Sequence, residues 1–425
     1  MMKKLFSTYS ILVAVGVFII VVIVSMWLKG SLSQKEENSV ASSLSAVSQN
    51  TDVSDTPVTP TAADSEMKAV WVPYMSLDMS READQSEAGF QKKFDEIVAG
   101  AKEKGMNALI VQVRPFGDAL YDSELFPWSS ILSGTQGVDP GYDPLEYMVS
   151  ASHKAGLEIH AWVNPLRIQI KNSPSILSQD NPYNLWKDDP NKAGWTVDWG
   201  ETSGKYYNPA YEEVRRYITD GVLEIVKNYD VDGIQFDDYF YPTTSPEFDK
   251  DSYNAYCASA QKNGTPLSLL EWRKSNINAL VSLIYQEIKA TKPHVVFGIS
   301  PQGNVQNDEN MGADVKTWCS TSGYLDYICP QLYVNFENAY LPFDEAAQTW
   351  RDMVTNSQVK LYYGIGLYKA GSDVDNGTWK NANDILARQV SLGRQLQGDG
   401  FIFYSYDYLN NPHTKQEVEN VMKVL

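Results

Sequence analysis

Cysteine and histidine are scarce in this chain, at three and four residues of 425. Cys257, Cys319 and Cys329 have no metal-like spacing, and one is left over if two pair. They read as small buried residues rather than the framework of a disulfide-stapled domain. His153, His160, His294 and His413 show no ligand spacing either, and no metal or cofactor is expected. The one conceivable metal set is Asp237, Asp238 and His160. No G-x-S-x-G elbow is present, and no glycine-rich phosphate loop follows the first strand-like run. Basic residues are outnumbered: 35 Lys and Arg against 53 Asp and Glu give a net charge of -18. Such a chain gains nothing from polyanion contacts, so nucleic acid is not an expected partner.

With 43% hydrophobic and 21% charged residues, the chain can build one large core. Aromatic residues are abundant at 12%, including 11 Trp and 26 Tyr. That excess suits a core and suits contact with sugar faces. Near the N-terminus, Lys3 and Lys4 precede an apolar run from Ile11 to Val24, extended by Met26, Trp27 and Leu28. The run is just long enough to span a bilayer, and small-residue cleavage candidates near Ala41 and Ala46 lie far downstream. Residues 1–29 are therefore expected to be an uncleaved signal-anchor, with the C-terminal domain outside the cell; a cleaved signal would make it secreted. Residues 30–66 are rich in Ser, Thr and Asp, include Pro57 and Pro60, and lack periodicity, as in a flexible linker.

From residue 67 to 425 strand-like and helix-like runs alternate. The strand runs are 68–74, 108–113, 158–163, 233–236, 295–299, 327–331, 360–366 and 400–404. The intervening segments carry apolar residues at helical spacing, as in Phe90, Phe94, Ile97, Val98 and Ala101. Glycines such as Gly105 and Gly156 end helices just before the next strand, the short return of a parallel sheet. Eight such units predict an α/β fold, a (β/α)8 TIM barrel with long βα loops. An open doubly wound sheet is the alternative. The long loop 166–207 holds Trp186, Trp195 and Trp199, which either wall a cleft or pack the loop on itself.

Alternation along each strand selects polar residues that face the barrel axis at its C-terminal end. These are Gln112 and Arg114 on the second strand, and His160, Trp162 and Asn164 on the third. The fourth contributes Gln235 and Asp237, the fifth ends at Ser300, and the sixth contributes Gln331 and Tyr333. Burying so many polar groups at one end of a plain core is costly, so they mark a site. Asp237 is the leading reacting carboxylate. By strand parity its neighbour Asp238 points elsewhere, to line a loop or brace the turn. Hydrolysis of a glycosidic bond usually needs a second carboxylate. Asp238, Asp308, Glu309, Glu337 and Asp407 are the candidates, the last two on loops of the correct face. Trp71 and Tyr239 complete the expected sugar-binding set.

Six segments in order resemble the bacterial glycoside-hydrolase-like family 10 domain over roughly residues 66–410. They are 69–72 (Ala-Val-Trp-Val), 111–115 (Val-Gln-Val-Arg-Pro), 159–165 (Ile-His-Ala-Trp-Val-Asn-Pro), 232–242 (with Asp237-Asp238-Tyr239), 297–301 (Phe-Gly-Ile-Ser-Pro) and 326–333 (with Pro330-Gln331-Leu332-Tyr333). Similar proteins more often carry His where this chain has Gln235, which weakens a proton-carrying role there. The resemblance implies a TIM-barrel hydrolase of glycans, with only Asp237 and Asp238 carried over as candidate catalytic residues. Similar envelope proteins are thought to cut peptidoglycan strands stripped of their peptides. The expectation is thus a monomeric glycosidase acting on cell-wall polysaccharide. The alternative is a catalytically silent barrel that binds wall glycan.

Overall fold

The computed structural model describes residues 66–425, apart from Tyr239 and Asn263. The expected anchor, and all but the last residue of the expected linker, lie outside the described residues. Among the described residues, no helix is long and apolar enough to cross a membrane.

Eight parallel strands close into a barrel. They are β1 (Met67–Val72), β2 (Ala108–Arg114), β3 (Glu158–Val163), β4 (Gly233–Phe236), β5 (Val296–Ile299), β6 (Tyr327–Ile328), β7 (Lys360–Gly366) and β8 (Gly400–Tyr404). Pairing of Met67 with Gly400 and Val70 with Phe403 joins β1 to β8, which excludes the open sheet. The main helices that follow the strands are α1 (Glu87–Glu103), α2 (Pro144–Lys154), α3 (Glu212–Asn228), α4 (Leu269–Thr291), α5 (Val315–Ser320), α6 (Phe343–Met353), α7 (Ile385–Gln395) and α8 (Lys415–Met422). Local chemistry sets their ends. Ser86 caps α1 by accepting from the Gly89 N–H, and Ser268 caps α4 by accepting from the Glu271 N–H. Gly105 and Gly156 sit at φ +74° and +69°, a conformation that glycine adopts without strain.

Two cores result. Outward-facing strand residues such as Val70, Val111, Ile234 and Phe297 pack under the helices. A smaller interior cluster of Ala69, Trp71, Ile110, Trp162, Tyr327, Tyr362 and Ile402 fills the barrel. Its large rings need glycine opposite them. A Cβ on Gly298 would sit 2.0 Å from the Tyr327 ring, and one on Gly233 would sit 2.7 Å from the His160 ring.

At the end of the barrel where the strands begin, one device recurs. Asn107, Asp232, Asp326 and Asp399 each stand immediately before an even-numbered strand. Each side chain accepts the backbone N–H of a residue on the preceding odd strand: Lys68 (2.8 Å), Ile159 (2.7 Å), Phe297 (2.7 Å) and Leu361 (2.8 Å). Each backbone N–H donates back to the carbonyl of that same residue, at 2.7–2.9 Å. The result is a two-bond clamp between neighbouring strands.

At the opposite end the loops are long. The β3–α3 connection contains a three-stranded antiparallel sheet of Arg167–Gln169, Gly204–Tyr207 and Thr196–Trp199. The β4–α4 connection carries an inserted helix, Lys250–Ala260. Arg273 of α4 braces this second loop. Its guanidinium forks onto both oxygens of buried Asp249 (2.9 and 2.6 Å) and donates to the Thr243 and Ser245 carbonyls.

Candidate active site

β4 ends at Phe236, so Asp237 and Asp238 lie beyond the strand, in a turn closed by the Phe240 N–H donating to the Asp238 carbonyl at 3.0 Å. Strand alternation stops applying there. Both carboxylates line one cleft of about 260 Å³ at the C-terminal mouth of the barrel. The expectation that only Asp237 faces it is therefore corrected.

Asp237 is only 3% exposed. Its Oδ2 accepts from Trp162 Nε1 at 3.1 Å and from Asn164 Nδ2. The orientation of Asn164 is itself fixed. Gln112 Nε2 donates to Asn164 Oδ1 at 2.7 Å, and Gln112 Oε1 accepts from the Tyr74 N–H at 3.1 Å. Asn164 must then present its NH₂ group to Asp237. Polar residues on β2 and just after β3 thus position the carboxylate just past the end of β4.

Asp238 is partly open to the cleft, and its Oδ1 accepts from Gln331 Nε2 at 3.0 Å. Gln331 also donates to the Ser300 carbonyl at 3.0 Å. Burial pushes the Asp238 carboxyl above its ordinary range, outweighing the Gln331 bond and the Arg167 charge, which both lower it. Asp308 does not line the cleft. Its Oδ1 accepts from the Gln302 N–H at 2.9 Å, and burial, helped by the Asp238 and Glu309 charges, holds it well above the usual carboxylate range. Glu309 pairs with Lys274.

Aromatic rings form the rest of the wall: Trp71, Trp162, Tyr333, Tyr368 and Tyr404. Tyr333 lies 5.5 Å from Tyr404 and stands edge-on to Trp71 (6.4 Å) and Tyr368 (5.9 Å). The Ser300 hydroxyl is buried with no hydrogen-bond partner among the described residues.

One layer deeper, Trp71 Nε1 donates to Gln235 Oε1 at 2.5 Å, and Gln235 Nε2 donates to the Tyr327 hydroxyl at 3.1 Å. Burial raises the pKa of the Tyr327 hydroxyl far above normal, and that hydroxyl lies 3.0 Å from His160 Nδ1. Gln235 and His160 support the site from below and do not line the cleft.

Several expectations need correction. Arg114 does not face the axis, because a register shift between Gln112 and Arg114 reverses the alternation. Its guanidinium lies 4.4 Å over the Phe126 ring and packs against Gly221 of α3. Asp407 is exposed and accepts from Ser76, while Glu337 is exposed and accepts from Asn381 at 2.7 Å. Neither lines the cleft. Trp186 packs on Trp195 (5.2 Å), Tyr207 (5.7 Å) and Tyr217 (4.7 Å), and Trp199 packs on Phe248, so these rings pack the loop, while Trp186 and Trp195 also line a cavity separate from the carboxylate cleft. Tyr239 lies outside the described residues. Among the described residues, no group of three or more His, Cys, Asp or Glu is arranged to hold a metal.

The sequence reading missed Arg167, Tyr368 and Tyr404. Tyr404 was within reach, since it ends β8 with the same parity as interior Ile402. Tyr368 lies past the end of β7 in the 3-10 turn Leu367–Lys369, where strand parity gives no signal. Arg167 begins a short strand inside the β3–α3 connection, where the parity of the barrel strands gives none either. Its Nε donates to the Pro115 carbonyl at 2.8 Å, and its guanidinium covers the Phe116 ring at 5.1 Å. Two carboxylates inside an aromatic-walled cleft, one of them raised by burial, can exchange a proton at, and stabilise positive charge on, a bound sugar ring.

Known proteins share this frame. Residues 66–381 match the family described as "Glycosyl hydrolase-like 10". Over 373 residues, 82% of this chain and 70% of the relative, the chain is 36% identical to glycosyl hydrolase YngK of Bacillus subtilis (strain 168). It is 34% identical to glycosyl hydrolase DigH of Escherichia coli (strain K12), covering 82% of each chain. The glycoside hydrolase domain of PgaB (BpsB) from Bordetella bronchiseptica has a similar fold, with a TM-score of 0.53 at 15% identity over 83% of this chain and 98% of that one. With its closed parallel barrel and its match to the family over most of its length, this chain belongs to the glycosyl hydrolase-like 10 family.

Proposed function

We propose that this protein is a glycoside hydrolase that acts outside the cytoplasmic membrane on cell-envelope polysaccharide, the glycan strands of peptidoglycan among them. The observation that carries this reading is the placement of Asp237 and Asp238 on one aromatic-walled cleft. A silent glycan-binding barrel has no need of a second carboxylate beside the first.

The two acids have different surroundings. Asp238, whose pKa burial raises, is the general acid that protonates the leaving oxygen. Asp237, fixed by two N–H donors, faces the anomeric carbon as nucleophile or as the base that activates water. Trp71, Tyr333 and Tyr404 supply the ring faces on which a pyranose rests. The apolar run at residues 1–29 supports attachment to the membrane, with the barrel facing the envelope.

The test is digestion of purified, peptide-free glycan strands by residues 66–425, with products read by mass spectrometry. The parent is expected to release shorter fragments with new reducing ends. Asp237→Asn is expected to lower turnover by about 10²–10⁴ while still binding glycan. Glycan retained but never cut by the parent would establish the binding scaffold instead.

A further inference from the structure

A second cavity, of about 400 Å³, is separate from the carboxylate cleft. It is walled by Tyr211, Ser252, Tyr256, Trp272, Ser275 and Asn276. Tyr211 immediately precedes α3, and the last three belong to the first two turns of α4. Ser252 and Tyr256 come from the inserted helix Lys250–Ala260. Helices of a parallel barrel begin at the face where its strands end, so this cavity and the cleft share one face.

None of the described side chains that line it carries a charge. That disfavours a phosphate, a metal ion or a charged peptide as occupant. The polar groups are hydroxyls and one amide, which supply both donors and acceptors. Asn276 Nδ2 meets the Tyr241 hydroxyl at 3.5 Å, and its carbonyl oxygen has no donor among the described residues. Tyr253, Tyr256 and Trp272 form a mutual cluster, with Tyr253 5.3 Å from Trp272 at 51°. Tyr256 lies 5.8 Å from Trp272 at 27° and 6.2 Å from Tyr253 at 26°. Ring faces beside neutral hydroxyls and a free amide oxygen fit one ligand class: an uncharged pyranose, with its C–H face on a ring and its hydroxyls on the polar groups.

The cavity is also tied to the catalytic turn. Tyr241 stands four residues after Asp237, so their Cα atoms are at most about 14 Å apart. The Tyr241 side chain and its contact to Asn276 add to that span, so the bridging polysaccharide must be several sugar units long. We infer that the cavity is a remote subsite that binds a sugar unit of the same chain that is cut at Asp237 and Asp238. The inference rests on the glycosidase reading for the identity of the polymer.

Two variants test it away from the cleft. Ala255→Trp plugs the cavity from an exposed position on its rim, and Tyr256→Leu removes a ring while keeping bulk. Steady-state constants are measured on long peptide-free glycan strands and on oligosaccharides too short to reach both sites. Both variants are expected to raise KM for long strands by about tenfold, near the upper end of what one stacked ring contributes. Their kcat, and both constants for the short substrate, are expected to match the parent. Equal constants on both lengths, with an active parent, would overturn the subsite and leave the glycosidase reading intact. Equal losses on both lengths would overturn it too, by showing that the variants act through the cleft. A parent that cuts neither substrate would defeat the glycosidase reading, and the subsite with it.

Discussion

Burial raises the Asp238 pKa because water is largely replaced by protein around it, and the Gln331 N–H and the Arg167 charge do not compensate. An acid of this kind works while protonated, so its contribution is present at low pH and disappears as pH rises through its raised pKa. The kcat/KM profile is expected to fall on the alkaline side at a pH above the ordinary carboxylate range. Asp238→Asn is expected to abolish that limb and to cost about 10²–10⁴ in rate on natural glycan. A substrate whose leaving group needs no proton, such as a dinitrophenyl glycoside, is expected to recover most of that loss. An Asp238→Asn enzyme equally slow on both substrates would show that Asp238 is not the acid. At this scale the sequence was a good guide on β1 and β3 and just past β5 and β6: Trp71, Trp162, Ser300, Gln331 and Tyr333 all reach the cleft. It misled where the backbone leaves regularity. The bulge beyond Gln112 turned Arg114 outward, and the early end of β4 let both aspartates turn inward. Neither event leaves a mark in residue type alone.

The Asx clamps operate between elements. Their targets are backbone N–H groups of buried strand residues such as Ile159, Phe297 and Leu361. Removing the acceptor leaves such a donor unpaired, which costs about 1–3 kcal/mol. Asp399→Ala is expected to lose that much in chemical denaturation. Asp399→Asn is expected to stay close to the parent, because Asn107 performs the same task with an amide oxygen. An equal loss in both would mean that the charge, not the hydrogen bond, stabilises the strand pair. The order of elements was readable from periodicity and glycine punctuation, because eight repeats of one pattern reinforce one another. The packing inside the long β3–α3 loop was not. Trp186 serves equally well as a wall or a core in composition, and only its contact with Tyr217 on α3 decides.

For the molecule as a whole, Asp118 makes stability depend on pH. It is fully buried, and burial pushes its carboxyl up to about 6 against the Gln136 bond and the Arg167 charge. Between about pH 4 and 6 the folded protein holds a proton that the unfolded chain has released. Stability from this group is therefore fully present below pH 4, falls as pH rises to 6 and is level above it. Two units correspond to about 3 kcal/mol at most. Asp118→Asn mimics the protonated acid and has no such slope. Denaturation at pH 4.5 and 7.5 is expected to show the variant gaining on the parent as pH rises. A constant difference between the two would place the pH dependence elsewhere.

The clamp at Asp232 and the carboxylate at Asp237 occupy opposite ends of one strand. The strand between them acts as a ruler. Five residues at strand rise meter about 16 Å from the clamped end of the barrel to the Asp237 backbone that carries the carboxylate. Loop lengths before Asp232 can drift without moving that carboxylate, because the clamp resets the count. A single residue inserted after Asp232 would do the opposite. It would turn Gln235 out toward the helices and bring Ile234 and Phe236 to the axis, leaving an apolar layer beneath the cleft and the Asp237–Asp238 turn one residue further from the clamp. The height of the two carboxylates is thus written in a residue count rather than in any one side chain.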